Sequence, residues 1–170
     1  MEPIMKTTAL NACTENDILF LNQAVNLAIQ GVSNGKGGPF GCVIVKDGKI
    51  IGQGSNMVTS QNDPTAHAEV VAIRQACLFL GGYQLTGCDL YTSCEPCPMC
   101  LGAIYWARPD RVLYATTRYQ AADAGFDDAF IYREINLDLA ERHIPFCYHN
   151  EEKYQEPFEL WKQKSDKKLY

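Results

Sequence analysis

Two short polar segments constrain the fold of this chain more than any other feature. They read T-A-H-A-E at 65–69 and C-E-P-C-P-M-C at 94–100. Imidazole nitrogen and thiolate sulfur are ligands that zinc prefers, and His67, Cys97 and Cys100 offer one nitrogen and two sulfurs. Three protein ligands leave the fourth tetrahedral position open for water, as in catalytic zinc sites. The fold must therefore bring together two segments that are distant in sequence.

The spacing of the two sulfurs suits the start of a helix. Pro98 is favoured at the first helical position, where its missing N–H costs nothing, and Cys97 and Cys100 flank that start. The positive end of the helix dipole favours thiolate over thiol. Glu69 follows His67 by two residues, a spacing that places side chains on nearly opposite sides of an ideal helix. Periodicity alone therefore does not predict that Glu69 faces the metal.

Cys94 leaves an alternative open. It extends the cysteine pair to C-x-x-C-x-x-C, so a fourth sulfur could close the site as structural zinc, and a C-x-x-C pair also occurs in redox proteins. A structural site has no use for a carboxylate beside its histidine. The combination of H-x-E with P-C-x-x-C favours a catalytic metal, with Glu69 as the group that moves protons.

Composition and charge narrow the class of protein. Hydrophobic residues make up 46% of the 170 residues and charged residues 21%, as in an ordinary globular domain. A net charge of -5 is unfavourable for a nucleic-acid-binding surface. Eight cysteines without a leader peptide indicate reduced thiols and a cytoplasmic protein. No apolar run reaches the length of a membrane span.

Periodicity predicts an α/β fold, a three-layer α/β/α sandwich around a mixed five-stranded sheet. Asp47-Gly48 predicts a hairpin turn between antiparallel strands, and a strand–helix–strand unit around the cysteines predicts a parallel pair. The glycine-rich run at 34–38 is interpreted as a flexible turn, because its spacing does not fit a phosphate loop. Residues 1–13 are predicted to form a loose arm before one domain at 14–170. The predicted strands are 40–46, 49–56, 88–93, 111–115 and 144–148.

Two helices are predicted to bury apolar stripes at helical spacing. The first begins with Thr14 as its N-cap and ends in the glycine-rich turn, and the second follows Pro64 and ends at Gly81. The predicted stripes are Ile18, Leu21, Val25, Ala28 and Val32 in the first helix, and Ala66, Val70, Ile73, Cys77 and Leu80 in the second.

Three residues outside the metal segments have ordinary structural explanations when considered alone. Asn56 ends a predicted strand, where asparagine is usually a turn former. Asp128 and its neighbour Asp127 precede an apolar helical pattern, where either aspartate is most simply an N-cap. Tyr170 is the terminal residue, which is normally frayed.

A longer set of segments resembles one enzyme family. These segments are G-G-P-F-G at 37–41, D-P-T-A-H-A-E at 63–69, Y-T-S-C-E-P-C-P-M-C-L-G-A-I-Y-W-A-R-P at 91–109, A-G-F-D-D at 124–128 and the terminal K-K-L-Y. On these segments the sequence resembles the cytidine-deaminase-like superfamily of zinc-dependent deaminases and, within it, the guanine deaminases of bacteria. The zinc segments mark the whole superfamily, whereas A-G-F-D-D and the terminal tyrosine point to guanine deaminases. The resemblance spans about 14–170.

The resemblance implies roles for the site residues. It implies one zinc ion per subunit, held by His67, Cys97 and Cys100 together with a bound water or hydroxide, and it implies that Cys94 is not a ligand. Glu69 would shuttle protons. Asp128 would be the second catalytic residue and would serve the amino group of the substrate. The residues implied in binding a purine are Asn56, the backbone of Ala68, Phe40, Trp106, Phe126 and Tyr170.

The resemblance also implies a reaction and an assembly. The reaction is hydrolytic deamination of guanine to xanthine and ammonia, in purine catabolism or salvage. The assembly is a homodimer that exchanges a C-terminal segment at about 150–170, so that Tyr170 caps the pocket of its neighbour. Alternatives are a guanosine deaminase, a tRNA adenosine deaminase, which the net charge of -5 disfavours, and a non-enzymatic zinc-stabilised binding module, which requires Cys94 as a fourth ligand.

Overall fold

A computed structural model describes residues 13–169 of the chain. Residues 1–12 and Tyr170 lie outside the described residues, and with them most of the predicted N-terminal arm and the terminal tyrosine of the predicted exchange. The chain divides into two compact units, which meet in sequence between Asp127 and Asp128 and are described separately.

The first unit alternates helices and strands. Its elements in chain order are α1 (Glu15–Ser33), β1 (Gly41–Lys46), β2 (Lys49–Ser55), α2 (Val58–Gln61), α3 (Ala68–Leu80), β3 (Cys88–Cys94), α4 (Pro98–Ala107), β4 (Arg111–Thr116) and α5 (Arg118–Asp123). The four strands form one mixed sheet in the order β2-β1-β3-β4. β1 is antiparallel to both neighbours, whereas β3 and β4 are parallel and joined through α4, so the predicted strand–helix–strand unit is confirmed.

The hairpin between β1 and β2 forms where the sequence predicts it. Asp47 and Gly48 both have positive φ angles, 49° and 72°. Positive φ at both central residues is what a type I′ turn requires, and Asp-Gly is a favoured pair for it.

Helices cover both faces of the sheet. On one face, Phe20 and Leu27 of α1 pack against Val43 of β1. On the other face, α3 and α4 pack against a cluster that includes Ile44 and Leu90. Val43 and Ile44 are consecutive, so β1 sends alternate side chains to opposite layers. The predicted three-layer α/β/α sandwich is confirmed, with a mixed sheet of four strands in place of five.

The residues through which α3 contacts β2 are not those of the predicted apolar stripe. The helix buries Ala68, Ala72 and Ala76, whereas the branched residues of the predicted stripe are only partly buried. Gly52 and Gly54 of β2 face these alanines. A Cβ on Gly52 would lie 2.5 Å from the carbonyl oxygen of Ala72, and one on Gly54 would overlap the carbonyl oxygen of Ala68. The two backbones approach so closely that only glycine and alanine fit between them.

The predicted stripe of α1 is also displaced, by about one position. Ile18 and Val32 are 50% and 51% exposed, although both belong to that stripe. Gly41 of β1 allows the close approach, because a Cβ there would overlap the carbonyl oxygen of Ala24. The residues of α1 that are buried are Asp17, Ala24, Ala28 and Gly31.

A buried carboxylate ties α1 to the sheet. Asp17 accepts hydrogen bonds from the Tyr91 hydroxyl at 2.7 Å and from an Arg111 guanidinium nitrogen at 3.1 Å. It also accepts from the backbone N–H of Thr14 at 2.9 Å, which completes the capping box of the predicted N-cap. Burial alone raises the pKa of Asp17, but these hydrogen bonds outweigh it and hold the pKa well below its usual value of 3.8.

Replacing this carboxylate is expected to reduce stability in a pH-dependent way. Asp17→Asn leaves Tyr91 and Arg111 without their shared charged acceptor, so we expect a loss of about 2–3 kcal/mol at pH 7. Because the folded-state pKa of Asp17 lies below its unfolded value, the stabilisation is fully present above the usual pKa and declines as the pH falls below it. Urea unfolding of both proteins at pH 7 and pH 3 measures this. An equal difference at both pH values contradicts the assignment.

The second unit has two helices and two short 3₁₀ turns. Its elements are α6 (Ala129–Ile135), the turns Leu139–Glu141 and Glu152–Gln155, and α7 (Glu156–Gln163). The predicted fifth strand at 144–148 is wrong, since these residues form no strand. Pro145 is the second residue of that run and has no N–H to donate to a neighbouring strand.

Apolar side chains of the second unit are exposed to an unusual extent. No residue described in this unit is buried. Exposed large side chains include Phe130, Ile135, Ile144, Phe146, Tyr148, Phe158 and Leu160. Exposed apolar surface of this kind marks interaction sites in soluble domains. Among the described helices, none is both long enough and apolar enough to cross a bilayer.

Candidate active site

The start of α3 explains how His67 and Glu69 reach the same space. His67 is the N-cap and has extended backbone angles, φ −70° and ψ 154°, so the helix begins only at Ala68. The rotation of about 100° per residue that separates side chains in a helix therefore does not act between His67 and Glu69. Both side chains approach Cys100, whose Sγ lies 3.5 Å from Nδ1 of His67 and 3.4 Å from Oε2 of Glu69.

The start of α4 brings the two sulfurs to the same histidine. Cys97 is the N-cap of α4 and Pro98 takes a first-turn position, as predicted. Cys100 is three residues further, which is the spacing at which N-cap and N3 side chains meet. Nδ1 of His67 lies 3.5 Å from Sγ of Cys97 and 3.5 Å from Sγ of Cys100. The ligand atoms of the three residues all lie within 4.8 Å of one another.

This arrangement fits tetrahedral zinc. Zinc–nitrogen and zinc–sulfur bonds of about 2.1 and 2.3 Å at tetrahedral angles place nitrogen and sulfur roughly 3.6 Å apart. The two measured separations are 3.5 Å. His67, Cys97 and Cys100 therefore form a candidate zinc site, with ligands that come from the first turns of two helices.

The two thiols have opposite tendencies to ionise. A hydrogen bond from Cys100 lowers the pKa of Cys97 to about 4, although burial opposes this. The same contact, together with burial, raises the pKa of Cys100. Zinc binds cysteine as thiolate, so a metal held by both sulfurs would have to displace the proton of Cys100.

Glu69 lies against the metal cluster in a closed environment. Only 6% of the residue is exposed. One carboxylate oxygen lies 3.4 Å from Sγ of Cys100, and the other lies 3.4 Å from the hydroxyl of Thr92, which is itself buried in β3. Burial raises the pKa of Glu69, and the hydrogen bond from Cys100 partly offsets this effect. The position suits a group that exchanges protons with a ligand of the metal.

Cys94 is not part of the metal cluster. Its Sγ lies 3.6 Å from the carbonyl oxygen of Thr117, at the opposite end of the C-x-x-C-x-x-C segment from Cys100. Burial raises its pKa, so the thiol form is favoured. A four-ligand structural site, which needs Cys94, is therefore not formed by the described residues.

A second group of predicted site residues gathers where β2 ends. Asn56 is 5% exposed, and its backbone N–H donates to the carbonyl oxygen of Phe40 at 2.9 Å. The N–H of Gly38 donates to Oδ1 of Asn56 at 3.1 Å. The rings of Phe40 and Phe126 meet edge to face, with centroids 5.0 Å apart. The Asn56 amide and the Phe126 ring thus both contact the glycine-rich loop at Gly38, next to Phe40.

Backbone hydrogen bonds connect this group to the metal cluster. The N–H of Met57 donates to the carbonyl oxygen of Ala66 at 2.9 Å, and Ala66 immediately precedes His67. Ala68 begins α3, so its N–H has no acceptor within the helix and can be offered to a ligand. This hydrogen bond joins the residue that follows Asn56 to the residue that precedes His67. Ala68 directly follows the same metal ligand.

Comparison with known proteins accounts for this arrangement. Residues 14–116 match the family described as the cytidine and deoxycytidylate deaminase zinc-binding region. The chain belongs to this family. The matched region of the deaminase contains both metal segments and Asn56, whereas Phe126 and Asp128 lie beyond it.

Guanine deaminases are among the similar proteins. The deaminase is 60% identical over 155 residues to guanine deaminase from Bacillus subtilis, which covers 91% of this chain and 99% of that protein. The X-ray structure of guanine deaminase from Bacillus subtilis superposes with a TM-score of 0.88 and covers 90% of this chain and 98% of that one. The resemblance to guanine deaminases and the cytidine-deaminase-like fold are confirmed.

More distant relatives share part of the chain. A structure of guanine deaminase from Nitrosomonas europaea is 27% identical with a TM-score of 0.63, and covers 69% of this chain and 66% of that one. A tRNA-specific adenosine deaminase from Aquifex aeolicus is 42% identical over 96 residues, covering 56% of this chain and 63% of that protein.

The predicted substrate contacts of the deaminase and the predicted catalytic role of Asp128 all stay predictions. Trp106 lies on α4 and is 64% exposed. Asp128 occupies the N-cap position of α6, but its side chain makes no capping hydrogen bond, so the simpler structural explanation does not account for it. Tyr170 lies outside the described residues.

Two residues near the site were not singled out from the sequence. Thr92 contacts Glu69, but a threonine in a strand pattern is an ordinary strand former and carries no signal of its own. Gly37 belongs to a run interpreted as a flexible turn. The run is a turn, but a Cβ on Gly37 would lie 2.7 Å from the carbonyl oxygen of Asn56, so glycine is needed there for space.

Proposed function

We propose that the chain catalyses the zinc-dependent hydrolytic deamination of guanine to xanthine and ammonia. The observation that carries the proposal is a cluster of three zinc-type ligands with a buried carboxylate against it, in a chain whose relative over nearly its whole length is a guanine deaminase. His67, Cys97 and Cys100 would hold zinc, which as a Lewis acid would lower the pKa of water and make hydroxide available near neutral pH.

Glu69 performs the proton transfers in this proposal. It takes a proton from the attacking water and delivers it to ring nitrogen N3 of guanine, which makes C2 electrophilic. A C2–oxygen bond forms, and Glu69 then takes the remaining proton from that oxygen and passes it to the exocyclic nitrogen. The bond from C2 to this nitrogen breaks, which releases ammonia and leaves the C2 carbonyl of xanthine. The contacts of Glu69 with Thr92 and Cys100 support this role, because they hold the carboxylate beside the metal ligands.

The purine-binding roles follow from the residues around Asn56. The Asn56 amide and the Ala68 N–H supply polar contacts, while the rings of Phe40 and Phe126 supply apolar surface for a flat heterocycle. Asp128 is assigned to the N–H edge of guanine, because an ionised carboxylate only accepts hydrogen bonds and that edge only donates.

A panel of substrates tests the proposed reaction. The zinc-loaded protein is incubated with guanine, guanosine, adenine, cytosine and cytidine, and ammonia release is measured. We expect guanine to have the highest kcat/KM, with xanthine as the product. Xanthosine production from guanosine at a higher kcat/KM favours a guanosine deaminase instead, and an inactive holoenzyme on all five compounds refutes the proposal.

A tRNA adenosine deaminase is the weaker candidate. Its relatives match a smaller share of this chain, and a net charge of -5 is unfavourable for contacts with phosphates. Adenosine in tRNA added to the same panel separates the two reactions.

We propose further that the holoenzyme is a homodimer in which the segment at about 150–170 is exchanged and Tyr170 caps the pocket of the neighbouring subunit. The exposed apolar side chains of the second unit support this, since a partner that covers them removes them from water. Light scattering of the intact protein measures the assembly, and a monomeric mass at assay concentrations refutes it.

A further inference from the structure

The carboxamide of Asn56 has a fixed polarity. Its Oδ1 accepts two backbone hydrogen bonds, from the N–H of Gly38 at 3.1 Å and from the N–H of Val58 at 3.2 Å. If the amide were flipped, its N–H groups would face these two backbone N–H groups, and a backbone N–H cannot accept a hydrogen bond. The oxygen end of Asn56 is therefore committed to the protein.

The nitrogen end of Asn56 is the end available to a ligand. Among the described residues, none accepts a hydrogen bond from Nδ2 of Asn56. No fully buried side-chain nitrogen or oxygen in the described structure lacks a partner, so Nδ2 retains some access to solvent. Asn56 thus offers two hydrogens and no acceptor to whatever binds beside it.

Gly37 maintains this arrangement by having no side chain. A Cβ at position 37 would overlap Oδ1 of Asn56 and lie 2.7 Å from its carbonyl oxygen. Gly37 does not have a left-handed φ, so its backbone conformation alone would tolerate alanine. The requirement for glycine is therefore one of space around the Asn56 amide.

We propose that Gly37 is a positioning residue that fixes Asn56 as a pure hydrogen-bond donor, and that this polarity selects guanine over adenine. The proposal rests on the proposed function. Guanine presents two acceptors, O6 and N7, along one edge, whereas adenine presents the N7 acceptor and an N6 donor. A free asparagine matches adenine with both ends of its amide, but Asn56 cannot, because Oδ1 is already occupied.

The mismatch with adenine has a measurable size. Adenine bound with the same edge towards Asn56 would place its N6 hydrogens against the Nδ2 hydrogens. Polar groups would then be left unpaired beside a residue that is only 5% exposed. An unpaired polar group of this kind costs roughly tenfold to a hundredfold in affinity. Releasing the amide should therefore lower the ratio of guanine to adenine affinity by a similar factor.

Gly37→Ala tests the positioning role directly. Both purines are titrated into the zinc-loaded Glu69→Gln protein by calorimetry, so that binding is measured without turnover. We expect Gly37→Ala in this background to weaken guanine roughly tenfold or more and to reduce the guanine-to-adenine affinity ratio. Gly82→Ala is the matched control, because a Cβ on Gly82 meets nothing within 4 Å and its φ is not left-handed. Equal affinities in the two variants overturn the proposal.

Amide hydrogen exchange gives a readout that needs no substrate. The N–H groups of Gly38 and Val58 should exchange faster in Gly37→Ala than in the parent protein, since Asn56 no longer accepts from them. Asn56→Asp keeps an oxygen in place of Oδ1, so it should preserve their protection while it loses guanine affinity. Unchanged protection in Gly37→Ala overturns the positioning role.

The two proposals fail in different ways. A wild-type holoenzyme that does not deaminate guanine refutes the proposed function, whereas faster exchange at Gly38 and Val58 in Gly37→Ala still supports the fixed polarity of Asn56. Active wild-type enzyme whose purine preference is the same in Gly37→Ala and Gly82→Ala refutes the selection of guanine by this residue.

Discussion

Glu69→Gln is expected to lower the turnover of guanine by roughly a hundredfold to ten-thousandfold while zinc stays bound. Glutamine preserves the size of the side chain and its contacts with Thr92 and Cys100, but it cannot take a proton from water and pass it to the substrate. The loss should fall mainly on kcat, because the metal ligands and the purine contacts are unchanged. Steady-state kinetics with zinc analysis of the same sample measures both quantities.

The control for this variant is a carboxylate of the same unit that lies away from the site. Glu15 is exposed in the first turn of α1, so Glu15→Gln should leave kcat and zinc content unchanged. Turnover of Glu69→Gln within tenfold of the parent contradicts the proton route. Loss of zinc from Glu69→Gln contradicts its description as a residue that is not a ligand.

Cys97→Ser is expected to abolish both zinc retention and activity, whereas Cys94→Ser is expected to preserve them. Serine is a poor ligand for zinc in place of thiolate, and two remaining ligands do not hold the ion firmly. Mutation of residues that hydrogen-bond to zinc ligands typically lowers zinc affinity by roughly tenfold to a hundredfold. Loss of a ligand itself should lower the zinc affinity by more. Zinc content after dialysis against a weak chelator, followed by the guanine assay, measures the effect.

The two cysteines form a matched pair for this experiment. Cys94 and Cys97 lie three residues apart in one segment, and both are shielded from solvent to some degree, but only Cys97 approaches His67. Equal loss of zinc in Cys94→Ser and Cys97→Ser supports a four-ligand structural site and refutes a catalytic metal. X-ray absorption of the parent holoenzyme should show one nitrogen and two sulfurs from the protein, with a light atom completing the shell.

The metal segments could be predicted because zinc chemistry restricts the residue types and because proline marks a helix start. Pro98 and the spacing of Cys97 and Cys100 predicted the first turn of α4, and the structure has it. The orientation of Glu69 could not be predicted in the same way. It depends on the exact residue at which α3 begins, and helix boundaries are the least certain part of any pattern.

The buried faces of the helices were predicted less well than their existence. The apolar periodicity favoured branched residues such as Val70 in α3, yet alanines form the contact with the sheet. Local periodicity does not register how closely the opposing strand approaches, and here the glycines Gly52 and Gly54 permit backbone contact. The proposed role of Gly37 likewise could not be predicted from local pattern, because it depends on contact with Asn56, which is distant in sequence.

The predicted fifth strand is a different kind of error, because here an element was predicted that does not form. An apolar run such as 144–148 can be buried in a sheet or can cover another surface, and periodicity does not distinguish the two. Pro145 was the local signal against a strand, since it removes one hydrogen-bond donor from a ladder. The cluster of three metal-type ligands could be predicted better than the end of the chain, because zinc chemistry restricts the residue types whereas many surfaces can complete a core.

The glycine and alanine contact between β2 and α3 has a consequence for how the enzyme tolerates change. It leaves no compressible layer between sheet and helix, so an added methyl group must move the helix as a rigid body. His67 and Glu69 travel with that helix, while Cys97 and Cys100 belong to another. Mutations at Gly52 or Gly54 should therefore displace His67 relative to the two cysteines, even though neither glycine is a metal ligand.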